Sequence, residues 1–149
     1  MSALTLTAVA LIGAGALIPG AAASVPPPAP VAVANSPVLV DCTDAPQTLP
    51  ASYVLACGDG NNYLISLKWS QWGPTGARAV GTDVANDCVP YCAAGHFHDY
   101  PVYVSLDRAL PWDGHPGVSR FTRVTLVYPD ARPAGAPVTT SFPLSAGRD

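Results

Sequence analysis

Residues 52–69 read Ser52-Tyr53-Val54-Leu55-Ala56-Cys57, then Gly58-Asp59-Gly60-Asn61, then Asn62-Tyr63-Leu64-Ile65-Ser66-Leu67-Lys68-Trp69. The middle four residues form a strong turn, because Asp-Gly and Asn tolerate the positive φ that tight turns demand. The residues after it alternate. Tyr63, Ile65, Leu67 and Trp69 share one face, while Asn62, Ser66 and Lys68 share the other. A period of two on either side of a turn predicts a β-hairpin with the Tyr63–Trp69 face buried.

The same pattern extends outward from this hairpin. Trp72-Gly73-Pro74-Thr75-Gly76 reads as a turn, and Ala77 to Val84 as a further strand. Val102, Val104 and Leu106 alternate with Tyr103, Ser105 and Asp107, which gives another. Leu110 to Gly117 reads as a loop. Phe121 to Tyr128 has the highest β-propensity, with Val124, Leu126 and Tyr128 facing in and Arg123 and Thr125 facing out. Val138 to Phe142 reads as a last edge strand. Prolines and glycines recur too often for helices, and no internal repeat is present. The expected fold is all-β: a small antiparallel β-sandwich, with an open β-barrel as the alternative.

The first charged side chain is Asp41. Ala3 to Ile18 are apolar or small, Pro19-Gly20 breaks the run, and Ala21-Ala22-Ala23 suits a signal peptidase. Residues 1–23 therefore read as a secretory signal peptide, although Met1-Ser2-Ala3 carries no basic residue. The run is shorter than the ~20 residues a membrane span requires. Residues 24–37, rich in proline and alanine, read as an extended linker. Residues 38–149 then form a single β domain. Net charge is −3, every acidic residue is Asp, and Lys68 is the only lysine. Such a chain offers no basic face for nucleic acid and no polybasic membrane patch. It is expected to be a secreted monomer with no stable membrane span after processing.

Export decides how the cysteines read. Four cysteines in an oxidising compartment imply two disulfides, with three connectivities open. Proximity in sequence favours Cys42–Cys57 and Cys88–Cys92. The first closes a loop of about 15 residues, and the second clasps Val89-Pro90-Tyr91.

Four segments carry a resemblance: Cys57-Gly58-Asp59-Gly60-Asn61, Leu67-Lys68-Trp69-Ser70-Gln71-Trp72-Gly73, Asn86-Asp87-Cys88-Val89-Pro90-Tyr91-Cys92-Ala93-Ala94-Gly95, and Phe121-Thr122-Arg123. Over roughly Leu39 to Tyr128 the chain resembles an uncharacterised family of small secreted actinobacterial proteins. The Asn-x-Cys-x-Pro-x-Cys-Ala-Ala-Gly signature is its most specific part. The resemblance implies export and a cell-envelope or extracellular setting, and it implies no catalytic role.

The clasped loop is the main candidate site. Asp87, Tyr91, His96, His98 and Asp99 lie within thirteen consecutive residues. On a strand, His96 and His98 face the same way and would grip one metal, with Asp87 or Asp99 adding a carboxylate and His115 a third nitrogen. Pro101 is expected to break the strand register between these histidines and Val102. No Gly-x-Ser-x-Gly elbow is present. A glycosidase would have to draw its carboxyl pair from Asp83, Asp87, Asp99, Asp107 and Asp113, which read instead as solvated turn residues. Trp69 reads as core. Trp72 and Trp112, in a turn and a loop, are further contact candidates. The first functional expectation is a secreted, non-enzymatic domain contacting an extracellular protein or glycan, with no cofactor. The alternatives are a metal-binding protein or metal-dependent hydrolase using His96 and His98, and a protease-inhibitor-like protein presenting the Cys88–Cys92 loop.

Overall fold

A computed structural model describes residues 35–144. The expected signal peptide, and the linker as far as Ala34, lie outside the described residues. The strands are β1 (Leu39–Val40), β2 (Pro46–Gln47), β3 (Tyr53–Val54), β4 (Asn62–Gly73), β5 (Gly76–Asn86), β6 (Phe97–Pro111), β7 (Ser119–Val127) and β8 (Thr139–Pro143). Strands β3 to β8 pair in sequence order as a six-stranded antiparallel sheet, and β1 and β2 form a separate antiparallel ribbon. The fold is all-β and antiparallel, and the large sheet curls into a half-barrel.

The expected hairpin is present, with Tyr53 opposite Leu64 and Val54 opposite Tyr63. Gly60 supplies the positive φ of its turn. The expected face of β4 needs correction at its start. Leu64 is in the core, whereas Tyr63 and Ile65 turn to the other side. The register shifts between Ile65 and Lys68, where Ser66 adopts φ 54°. This bulge adds one residue to β4 and reverses its parity, so Leu67 and Trp69 return to the core. A second shift before Gln71 brings Trp72 inward as well. Opposite the first bulge sits Gly81, where a Cβ would lie 2.8 Å from the Leu67 side chain. Only a residue without a side chain permits that approach.

The concave face of β5 is built from small residues. Ala77 and Ala79 pair with Leu106 and Val104, and both are buried. They leave room for large side chains on the flanking strands, including Trp69, Trp72 and Phe121. The rings of Trp69 and Trp72 meet edge to face at 4.6 Å, and those of Trp72 and Phe121 at 5.5 Å. Ser36 and Pro37, the end of the expected linker, belong to this packed region. Pro37 is buried, and its carbonyl accepts the Trp72 indole N–H at 3.0 Å.

Strand β1 starts beside β7, where Val38 exchanges backbone bonds with Ser119 and Phe121. It then reaches Tyr53, whose hydroxyl donates to the Val40 carbonyl at 2.8 Å. The ribbon thereby spans the gap between the edges of the half-barrel. The Asp41 carboxylate shapes its turn by accepting from Thr43, Ala45 and Gln47. Those bonds, led by the Ala45 N–H, hold its pKa at about 2. The Cys42–Cys57 disulfide ties the ribbon to the β3–β4 turn, and Cys88–Cys92 is also formed.

Strand β6 runs unbroken through Pro101, which pairs with Thr82. The expected break is absent because β7 joins β6 only from Tyr103 onward. At Pro101 one flank of β6 is an edge, so the missing N–H removes no ladder bond there. His98 therefore keeps the parity of Tyr100, Val102 and Val104, on the concave side.

Candidate functional site

The clasped loop joins β5 to β6 at the mouth of the half-barrel. Asn86 and Asp87 organise it from within. The Asn86 side-chain oxygen accepts the Cys88 N–H at 2.9 Å, and its amide nitrogen donates to Asn61 Oδ1 and the Cys92 carbonyl. The Asp87 carboxylate accepts the backbone N–H groups of Val89 and His96 through Oδ1 and contacts His98 Nε2 through Oδ2, at 2.9 Å. A single 3-10 turn, Cys92–Ala94, completes the loop. The Val89–Pro90 peptide is cis. Gly95 is required here, because a Cβ would overlap the Asn86 oxygen and come within 2.8 Å of Asp87 and of the Cys88 nitrogen.

His98, followed by the His96 and Val89 N–H groups, holds the Asp87 carboxyl far below the usual carboxylate range. The pair is solvent-accessible, so it adds little stability and serves mainly to orient the loop. Two apolar side chains point away from this frame: Val89 is 65% exposed and Tyr91 64%.

The other predicted site residues are distributed differently. His96 joins the network through its backbone N–H, and its side chain is exposed. Asp99 alternates with His98 along β6 and faces away from it. His115 stacks on Trp112 at the opposite end of β6, with ring centroids 3.5 Å apart. Among the described residues no group of three or more His, Cys, Asp or Glu side chains converges. Trp72 and Trp112 are not contact residues, being 2% and 7% exposed. Turns flank both of these contact candidates in the sequence, but the second bulge in β4 and the folding back of the 112–118 turn bury them.

Sequence reasoning missed the floor of the mouth. Asp83, expected as a solvated turn residue, lies inside β5 and is 1% exposed. Its carboxylate accepts the Tyr128 hydroxyl at 2.7 Å and the Asn62 amide at 2.6 Å. Burial pushes the Asp83 pKa up, against the pull of these two donors. Burial, with the neighbouring Asp83 charge, also raises Tyr128 well above the usual phenol value. The one signal available in the sequence was parity, since Asp83 falls on the same side of its strand as Ala77 and Ala79. Above this floor lies a cleft of about 510 Å³, bounded by Asn61, Asn62, the 133–137 turn, Thr140 and Phe142. A smaller cleft of about 260 Å³ adjoins it, between Asp87, Val89, His98 and Tyr100 on one side and Pro133 and Ala134 on the other.

This arrangement presents apolar side chains on a braced loop beside a cleft lined by amide and apolar side chains. The one side-chain hydrogen-bond partner of His98 among the described residues is Asp87. No helix among them is long and apolar enough to cross a membrane. No protein family, curated protein or solved structure matches the chain.

Proposed function

We propose that this is an exported, non-enzymatic β-domain that binds an extracellular or cell-envelope partner through its clasped loop. The observation carrying this reading is the pairing of exposure with rigidity. Among the described residues, Val89 and Tyr91 are the most exposed of the large apolar side chains, and both sit within the Cys88–Cys92 ring. The loop's polar groups are already satisfied by Asn86 and Asp87. Docking such a loop forfeits little conformational freedom, and an aromatic anchor is a common hot spot. The two disulfides agree with folding in an oxidising compartment.

Immobilised protein is exposed to envelope extract and culture filtrate, and the bound fraction is compared with that of Tyr91→Ala. The expected result is a specific binder whose capture falls about tenfold in the variant, with unchanged thermal melting. Equal capture by both proteins would refute the loop as the contact face.

A further inference from the structure

We propose that the mouth of the half-barrel binds a neutral sugar residue, held by the Asn61 and Asn62 amides and the Thr140 hydroxyl against the Phe142 ring. This goes beyond contact through the clasped loop and does not depend on it.

Size and position come first. The cleft of about 510 Å³ is as large as small-molecule sites usually are, and barrel mouths are among the places where such sites form. Its chemistry narrows the ligand. No Lys, Arg or His lines it, so a phosphate or carboxylate would find no counter-charge. Its one carboxylate, Asp83, is buried with each oxygen already accepting a hydrogen bond, so an organic cation would find no free anionic oxygen. Neutral hydrogen bonding remains.

The polar groups that remain are fixed in place. The Asn62 amide nitrogen donates to Asp83 at 2.6 Å and to the Val84 carbonyl at 3.4 Å. The Asn61 side-chain oxygen accepts from Asn86 at 2.9 Å. Among the described residues, the Asn62 side-chain oxygen has no protein partner, and the Asn61 amide nitrogen, which carries two N–H groups, bonds only the Asp59 side chain. An acceptor and a donor on consecutive residues suit neighbouring hydroxyls, which both give and receive hydrogen bonds. Thr140 and Phe142 lie on the same face of β8, opposite Leu126 and Val124. Phe142 is 40% exposed, leaving an apolar ring to meet the C–H face of a pyranose. The far wall is braced by the Ala136 N–H on the Pro133 carbonyl and by the Arg132 guanidinium on the Ala136 carbonyl.

The buried Asp83 gains a role in this arrangement. A carboxylate is costly to bury, and one placed here must do something that the apolar residues of the core do not. Asp83 instead fixes the Asn62 amide and the Tyr128 hydroxyl beneath the cleft. Burial also biases it toward its neutral form, which keeps the floor suited to an uncharged ligand.

The test is saturation-transfer NMR on the intact, oxidised chain with D-glucose, D-galactose, D-mannose and N-acetyl-D-glucosamine in turn. At least one should give a saturable response. Phe142→Ala should weaken it about tenfold, and Thr140→Val should weaken it measurably. Thr140→Val changes a hydroxyl for a methyl, so it remains readable if Phe142→Ala fails to fold. Tyr91→Ala should leave the response unchanged, which separates this site from loop-mediated capture. Absence of saturable binding by all four sugars, or binding undiminished in both cleft variants, would overturn the proposal.

Discussion

The two ends of the half-barrel are made from the same strands and have opposite characters. At one end, where β4 meets β5, Trp69, Trp72 and Phe121 interlock around Ala77 and Leu106. The single polar atom this cluster must satisfy at Trp72, the indole N–H, is capped by Pro37. At the other end the same concave face carries Asn62, Asp83, Tyr100, His98 and Tyr128. The first end derives its stability from contact area. The second maintains a buried carboxylate whose charge is disfavoured by its surroundings. A fold that needed only stability would have used apolar residues at both ends. The difference marks the mouth as the end shaped for something other than packing.

The contrast predicts unequal costs of truncation. Trp72→Ala removes a nearly fully buried indole that touches two aromatic rings. The expected loss is about 3–5 kcal/mol, a large part of the roughly 5–15 kcal/mol that holds a typical domain together. Urea denaturation of the oxidised protein measures it. A loss below about 1 kcal/mol would show that the aromatic end is not where the stability resides.

The aromatic end and the mouth also differed in how legible they were. Strand β7 was readable because Val124, Leu126 and Tyr128 are large, strictly alternating and uninterrupted by bulges. The Gly58–Asn61 turn was readable because its residues announce their backbone geometry. Strand β4 was misread in part. Its first bulge falls on Ser66, which takes φ 54° without the glycine that would have signalled it. Tyr63 and Ile65 therefore looked as apolar and as inward as Leu67. Asp83 was hidden for another reason. Its neighbours on the concave face, Ala77, Ala79 and Gly81, are too small to show which side of β5 is the core. The donors that satisfy Asp83 lie 21 and 45 residues away in the chain, on β4 and just beyond β7. The loop was recognisable as a site from its cysteines and from the signature that begins at Asn86, but that signature did not show that the Asn86 side chain bonds Cys88, Cys92 and Asn61 to frame it.

A second substitution tests the polar end. Asp83→Ala strips the Tyr128 hydroxyl and the Asn62 amide of their shared acceptor. A buried donor left unpaired costs about 1–3 kcal/mol; Asn62 lines the open cleft, where water can replace its partner, and removing a buried carboxylate offsets part of the Tyr128 cost, so the variant should fold with a smaller loss than Trp72→Ala. If Asp83→Ala matched or exceeded the tryptophan variant, the mouth would be a principal source of stability and the contrast between the ends would fail.

The smallest effect is the most specific, because only the mouth should respond to pH. Burial raises the folded-state pKa of Asp83 above the ordinary aspartate value of 3.8. The folded protein thus binds this proton more tightly than the unfolded chain. Its contribution to stability grows as pH falls through the folded value and stops changing below 3.8. Asp41 behaves in the opposite sense: its contribution is complete above 3.8 and fades as pH falls toward about 2. Comparing wild type with Asp83→Asn cancels the Asp41 contribution and isolates Asp83. Wild type should gain stability relative to the variant between pH 7 and pH 4, with a slope no steeper than about 1.4 kcal/mol per pH unit for one proton. Wild type compared with Trp72→Ala should show no such slope, since the core cluster that holds this indole contains no carboxyl or imidazole side chain and its tyrosines titrate far above pH 7. A flat difference for Asp83→Asn would mean that the carboxylate carries the same charge in the folded and unfolded chains. Solvation or the Tyr128 and Asn62 hydrogen bonds would then offset its burial in full, and the physical contrast between the two ends would be lost.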